Sequence, residues 1–104
     1  MYYKLDDDNN AVPCELHEWG EMYQTKEGQE KRHVALQDIG DIQISTVFLG
    51  LDHNHFGGRP LLFETMIFNG KGNDIYCERY STWSEAEEGH KKAIQWVIDG
   101  CKDD

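Results

Sequence analysis

Basic residues are scarce in this chain: ten Lys and Arg stand against twenty Asp and Glu, a formal charge of −10 over 104 residues. Affinity for nucleic acid rests on clustered Lys and Arg that neutralise phosphates, so neither DNA nor RNA is expected as a direct ligand. The same charge repels anionic lipid, and no apolar run approaches the roughly 18 residues of a membrane span. The polar start, Met1-Tyr2-Tyr3-Lys4-Leu5-Asp6, does not resemble a secretory signal. A cytoplasmic protein with no membrane contact is expected. Cysteine is also sparse. Cys14, Cys77 and Cys101 are odd in number, widely spaced and without a Cys-x-x-Cys, which suits free thiols in a reducing compartment. There is no internal repeat, no Pro/Ser-rich linker and no low-complexity tract beyond Asp6-Asp7-Asp8 and Glu87-Glu88. Gly-rich phosphate loops, a Ser-centred elbow and a His-Glu-x-x-His motif are missing as well.

What is present is enough for one core. Hydrophobic residues make up 38% and aromatics 12%, among them Trp19, Trp83 and Trp96. The length suits a single domain covering residues 1–104. Tyr2 to Leu5 reads as a first strand, followed by the turn formers Asp6 to Asn10, and Pro13 marks a helix start. From Cys14 to about Gln24, Leu16, Trp19 and Tyr23 share one helical stripe. The polar stretch Thr25 to Arg32 reads as a loop, and His33 to Gln37 as a strand that turns at Asp38-Ile39-Gly40.

Two segments are apolar on both faces. In the first, Ile42, Ile44, Thr46 and Phe48 oppose Val47, Leu49 and Leu51; in the second, Leu61, Phe63, Thr65 and Ile67 oppose Leu62, Glu64, Met66 and Phe68. Asn69 to Asp74 reads as a hairpin loop into the strand Ile75 to Ser81. Thr82 with Glu85 three residues on makes a capping box. Behind it Trp83, Ala86, His90, Ala93, Ile94, Val97 and Cys101 form one stripe, closed by Gly100. The expected fold is α+β, an antiparallel sheet of four to five strands with two helices on one face, in the order β-α-β-β-β-β-α. Nothing in that arrangement covers Leu49, Leu51, Leu62, Met66 and Phe68 if they share the other face, so a symmetric homodimer is expected.

Ser45-Thr46-Val47-Phe48-Leu49-Gly50-Leu51-Asp52-His53, Pro60 to Phe68, and Arg79-Tyr80-Ser81-Thr82-Trp83 with Glu85-Ala86-Glu87 and Gly89-His90 carry a resemblance. Val12-Pro13-Cys14 followed by Trp19 fits the same pattern. The chain resembles small uncharacterised proteins encoded by bacteriophages and prophages, over most of its length apart from about 25 to 32 and 69 to 75. The resemblance carries no activity with it. It implies an accessory protein in a bacterial host cytoplasm, where small acidic proteins often bind host proteins.

The most suggestive segment for chemistry is Asp52-His53-Asn54-His55-Phe56-Gly57-Gly58, at the end of a strand where sites collect on loops. His53 and His55 could serve as two zinc ligands, completed by Cys14 and His17. In a His/Asp hydrolase, Asp52 or Glu64 would orient an imidazole acting as general base. The plain reading is a polar turn with solvated histidines, favoured because His-x-His and Cys-x-x-His are each weak signals alone. Asp6-x-Asp8-x-Asn10 fails as a calcium loop, with no Gly at its sixth position and His17 where a bidentate Glu is needed. Cys14 beside Pro13 reads as an inert small residue rather than an activated thiol, and His90, in mid-stripe, as a satisfied half-buried histidine. Trp96 falls about 110° from the centre of the stripe, either packed on a neighbour or serving with Phe56 as an aromatic anchor. The first functional expectation is therefore a non-catalytic protein that binds and modulates a host protein, a defence or nucleic-acid-binding protein among the options. Its acidic surface would steer it toward a basic patch.

Overall fold

The computed structural model describes residues 1–52 and 57–101. The chain opens as a hairpin of β1 (Tyr2–Leu5) and β2 (Ala11–Cys14). Asp6 Oδ1 closes its turn by accepting from the amides of Asp8 and Asn10 at 2.9 and 2.8 Å, while Asn9 takes φ +63°. Pro13 therefore sits in a strand and not at a helix start, on a two-stranded sheet where its missing N–H is tolerated. Helix α1 (Leu16–Gln24) follows, and Thr25 both ends it and caps α2 (Lys26–Lys31), its Oγ1 accepting from Gly28 N at 3.0 Å. Residues 25–32, expected as a loop, are thus mostly a helix. Its six residues are all polar or Gly, so no apolar period announces it. Gly28 fits because a Cβ there would lie 2.5 Å from the Met22 carbonyl.

Strands β3 (His33–Ile39), β4 (Ile42–Phe48), β5 (Phe63–Phe68) and β6 (Asp74–Tyr80) form an antiparallel meander in that order. Register divides it cleanly. Ile44, Thr46 and Phe48 pair with Ile67, Thr65 and Phe63, and all six are fully buried. Helix α3 (Trp83–Ile98) lies on that face, burying Ala86, Gly89, His90, Ala93 and Val97. Its capping box forms as the sequence predicts: Thr82 Oγ1 accepts from Glu85 N at 3.1 Å, and Glu85 Oε1 accepts from Thr82 N at 3.1 Å.

The α+β class and the antiparallel sheet agree with expectation, with three helices rather than two and a separate two-stranded sheet. Only α3 spans the main sheet. Helix α1 packs instead beside β1, where Met22 joins Leu5, Phe48, Leu62 and Phe63 in one core cluster. Leu16 does not belong to the buried stripe of α1, being 57% exposed in the first turn, while Trp19 and Tyr23 reach inward to the Leu49 carbonyl.

Candidate functional site

The residues singled out for chemistry do not converge among the described ones. Asp52 Oδ1 accepts from Leu61 N at 3.0 Å, tying together two described points of the connection between β4 and β5. His53, His55 and Phe56 lie outside the described residues. Glu64, on β5, pairs with Arg79 Nε at 2.9 Å, on the sheet face away from α3. Cys14 is half-buried in β2 and His17 is exposed on α1; burial pushes the Cys14 thiol above its ordinary value, opposite to what an activated nucleophile needs. Among the described residues no three His, Cys, Asp or Glu side chains come together in a metal-sized group. Trp96 is half-buried against Tyr76, ring centroids 5.0 Å apart.

Behind the sheet lies a buried polar chain that the sequence reading captured only at His90. Thr46 Oγ1 is 2.6 Å from Thr65 Oγ1 and 2.7 Å from His90 Nδ1, with both threonines fully buried and His90 nearly so. Burial holds the imidazole below its ordinary value, hence neutral, so its Nδ1 can accept from Thr46 while Thr65 donates to Thr46. The Tyr80 hydroxyl is buried beside this group; Thr65 is within its electrostatic reach, yet no hydrogen bond of regular geometry closes among the described residues. Burial pushes that phenol up. In the sequence its only traces are one threonine inside each of two apolar strands and a histidine in an apolar helix stripe.

Two surfaces among the described residues bear on function. The first is the sheet face turned from α3, where Leu36, Ser45, Met66 and Cys77 form a row across all four strands. Val47, Glu64 and Arg79 flank it on one side, Asp38, Gln43 and Phe68 on the other. Leu36 is 57% exposed, and Val47, Met66 and Phe68 are only half-buried. This corrects the expected apolar set. Leu62 is in the core, while Leu49 and Leu51 are half-buried under the hairpin and α1: the Leu49 carbonyl accepts from Trp19 Nε1 at 3.1 Å and Tyr23 OH at 2.7 Å, and Leu51 bridges Tyr2. Only Met66 and Phe68 of that set face outward.

The second surface is a groove of about 750 Å³ between β6 and the first half of α3, with Leu61, Tyr76 and Tyr80 as its apolar part. Tyr80 lies over Gly89, where a side chain on the helix would overlap its ring. Arg59 forks onto Glu85 with two bonds of 3.0 Å at its rim and, with the cap contacts, holds that carboxyl below the usual range.

Comparison with protein-family models, with curated proteins and with solved structures finds no match for this chain. The functional reading therefore rests on these surfaces. No helix among the described residues is long and apolar enough to cross a membrane.

Proposed function

We propose that this chain is a small accessory protein that acts by protein contact, self-associating through the open face of its sheet. Its carboxylate-rich remainder would steer it toward a basic patch on a host protein. The setting is the bacterial cytoplasm that the phage-type resemblance implies. The observation that carries the reading is the row Leu36–Ser45–Met66–Cys77 with Val47 and Phe68 beside it. A sheet face turned to water ordinarily carries polar residues, and on this one Leu36, Val47, Met66 and Phe68 interrupt the polar positions Ser45, Gln43, Glu64 and Arg79. Charge supports a second copy as its cover. In a chain of net charge −10, the Glu64–Arg79 pair on this face is self-compensated, and Asp38 and Asp74 lie at the two ends of the marginal row through Gln43 and Phe68, so two copies can stack through the centre of the face with those carboxylates kept to its rim.

Light scattering tests the contact. The expected mass at tens of micromolar is twice the 12.1 kDa of the chain, and Met66→Asp is expected to halve it while the far-UV circular dichroism stays that of the folded chain and the urea midpoint loses its dependence on protein concentration. A wild-type monomer at that concentration would overturn the self-association. Steering is tested separately, by affinity capture from bacterial lysate at low and high salt. A partner retained equally at both would not be recognised through the acidic surface.

A further inference from the structure

Strand β6 is the last of the four-stranded sheet, so among the described residues one side of its backbone has no neighbouring strand. The Tyr80 carbonyl accepts from Leu62 N at 2.9 Å on the β5 side. Backbone groups alternate in direction along an antiparallel strand, so the N–H and C=O groups of Arg79 and Cys77 point away from the sheet. Edges of this kind are usually blunted by proline, a bulge or a covering element. At the opposite edge, β3 has a bulge between His33 and Ala35 and α2 beside it. Strand β6 contains no proline, and its irregularity is confined to its start, leaving Tyr76 to Tyr80 regular. The groove described above runs alongside it.

We propose that this edge and groove take up an extended peptide segment as a fifth strand, one whose groove-facing side chains read apolar, basic, apolar. On the groove side of β6 stand Tyr76, Glu78 and Tyr80, in register with Ile67, Thr65 and Phe63. A residue directly opposite on an added strand would be about 5 Å away. Tyr76 is braced by Trp96 and Tyr80 by the helix at Gly89, so each presents a fixed aromatic surface to an apolar partner. Glu78 between them is exposed and makes no hydrogen bond or ion pair among the described residues. The neighbouring charges are already engaged: Arg59 with Glu85, Arg79 with Glu64, Lys91 with Glu88. Lys92 stands exposed on the helical wall. A basic side chain opposite Glu78 thus meets an uncompensated carboxylate in the middle of the strand, and the −10 charge of the whole chain favours its approach.

The probe is a capped heptapeptide, Thr-Val-Thr-Lys-Thr-Val-Thr, titrated into the full chain while backbone amide shifts are followed by NMR. Saturable shifts are expected at Cys77, Arg79 and Gly89, with at least about tenfold weaker binding of the version carrying Glu for Lys. Proline is tolerated on an edge strand where its missing N–H faces solvent. Cys77→Pro should therefore stay folded by circular dichroism and lose at least about tenfold in affinity. Glu78→Lys, at an exposed position, should reverse the preference between the two peptides. Failure of any saturable binding would overturn the proposal, as would equal affinity in a folded Cys77→Pro protein or shifts centred on Leu36 and Met66. Unfolding of Cys77→Pro would place that amide inside the ladder and overturn it too.

Discussion

Replacing Thr46 by Val keeps the side-chain shape and exchanges one hydroxyl for a methyl in the middle of the buried polar chain. The hydroxyl makes two short contacts, 2.6 Å to Thr65 and 2.7 Å to His90, at a position with no solvent access. Losing both costs about 2 kcal/mol at the usual net value of about 1 kcal/mol per hydrogen bond. The stranded Thr65 hydroxyl and His90 Nδ1 add a desolvation cost of roughly 1–3 kcal/mol. Burying the new methyl returns about 0.8 kcal/mol. A net loss of about 2–4 kcal/mol is expected, a large share of the roughly 5–15 kcal/mol that holds a small domain together. With a urea dependence of about 1 kcal/mol per molar, the midpoint should fall by about 2–4 M. Thr46→Ser keeps the hydroxyl and should cost only about 1 kcal/mol, from the lost methyl. Circular dichroism during urea titration reads both. If Val matches the wild type, or Ser costs as much as Val, the hydroxyl is not what holds His90 and Thr65.

The same imidazole sets a pH dependence. Because burial holds His90 below its ordinary value of 6.5, the unfolded chain binds a proton that the native state refuses once pH falls through 6.5. The contribution of His90 to stability is therefore complete above that pH and declines as pH drops toward its folded value. Urea midpoints between pH 7.5 and about 5.5 should fall, and the decline attributable to His90 should vanish in His90→Gln; an unchanged slope would assign the effect elsewhere. Thr82→Ala removes the acceptor for Glu85 N and should cost about 1 kcal/mol, read as a lower urea midpoint. Gly89→Ala improves helix propensity by about 1 kcal/mol but drives a methyl into Tyr80, so a loss of about 1–3 kcal/mol is expected. A thermal midpoint raised by that change would mean Tyr80 is not packed there.

Charge, the class of fold, the strand period of the four-stranded meander and the last helix with its cap were all legible in the order of residues. These are local properties. Capping needs only Thr82 and Glu85 three residues apart, and the buried stripe of α3 needs only the helical period to bring Ala86, His90, Ala93 and Val97 together. Tertiary structure alone decided the rest. Pro13 became a strand residue because β1 was there to pair with it, and 25–32 became helical because Thr25 could end one helix and begin another against Met22. Leu49, Leu51 and Leu62 looked identical in pattern to Met66 and Phe68. The hairpin and α1 cover the first two, the core encloses Leu62, and the other two are left facing out. Period-2 alternation states which residues share a side of one strand, but not which distant element arrives to cover that side. For the same reason Thr46, Thr65 and His90 read separately as two strand residues and a helix residue. Their hydrogen bonds span 19 and 44 positions of chain, and only packing α3 onto the sheet makes them one group.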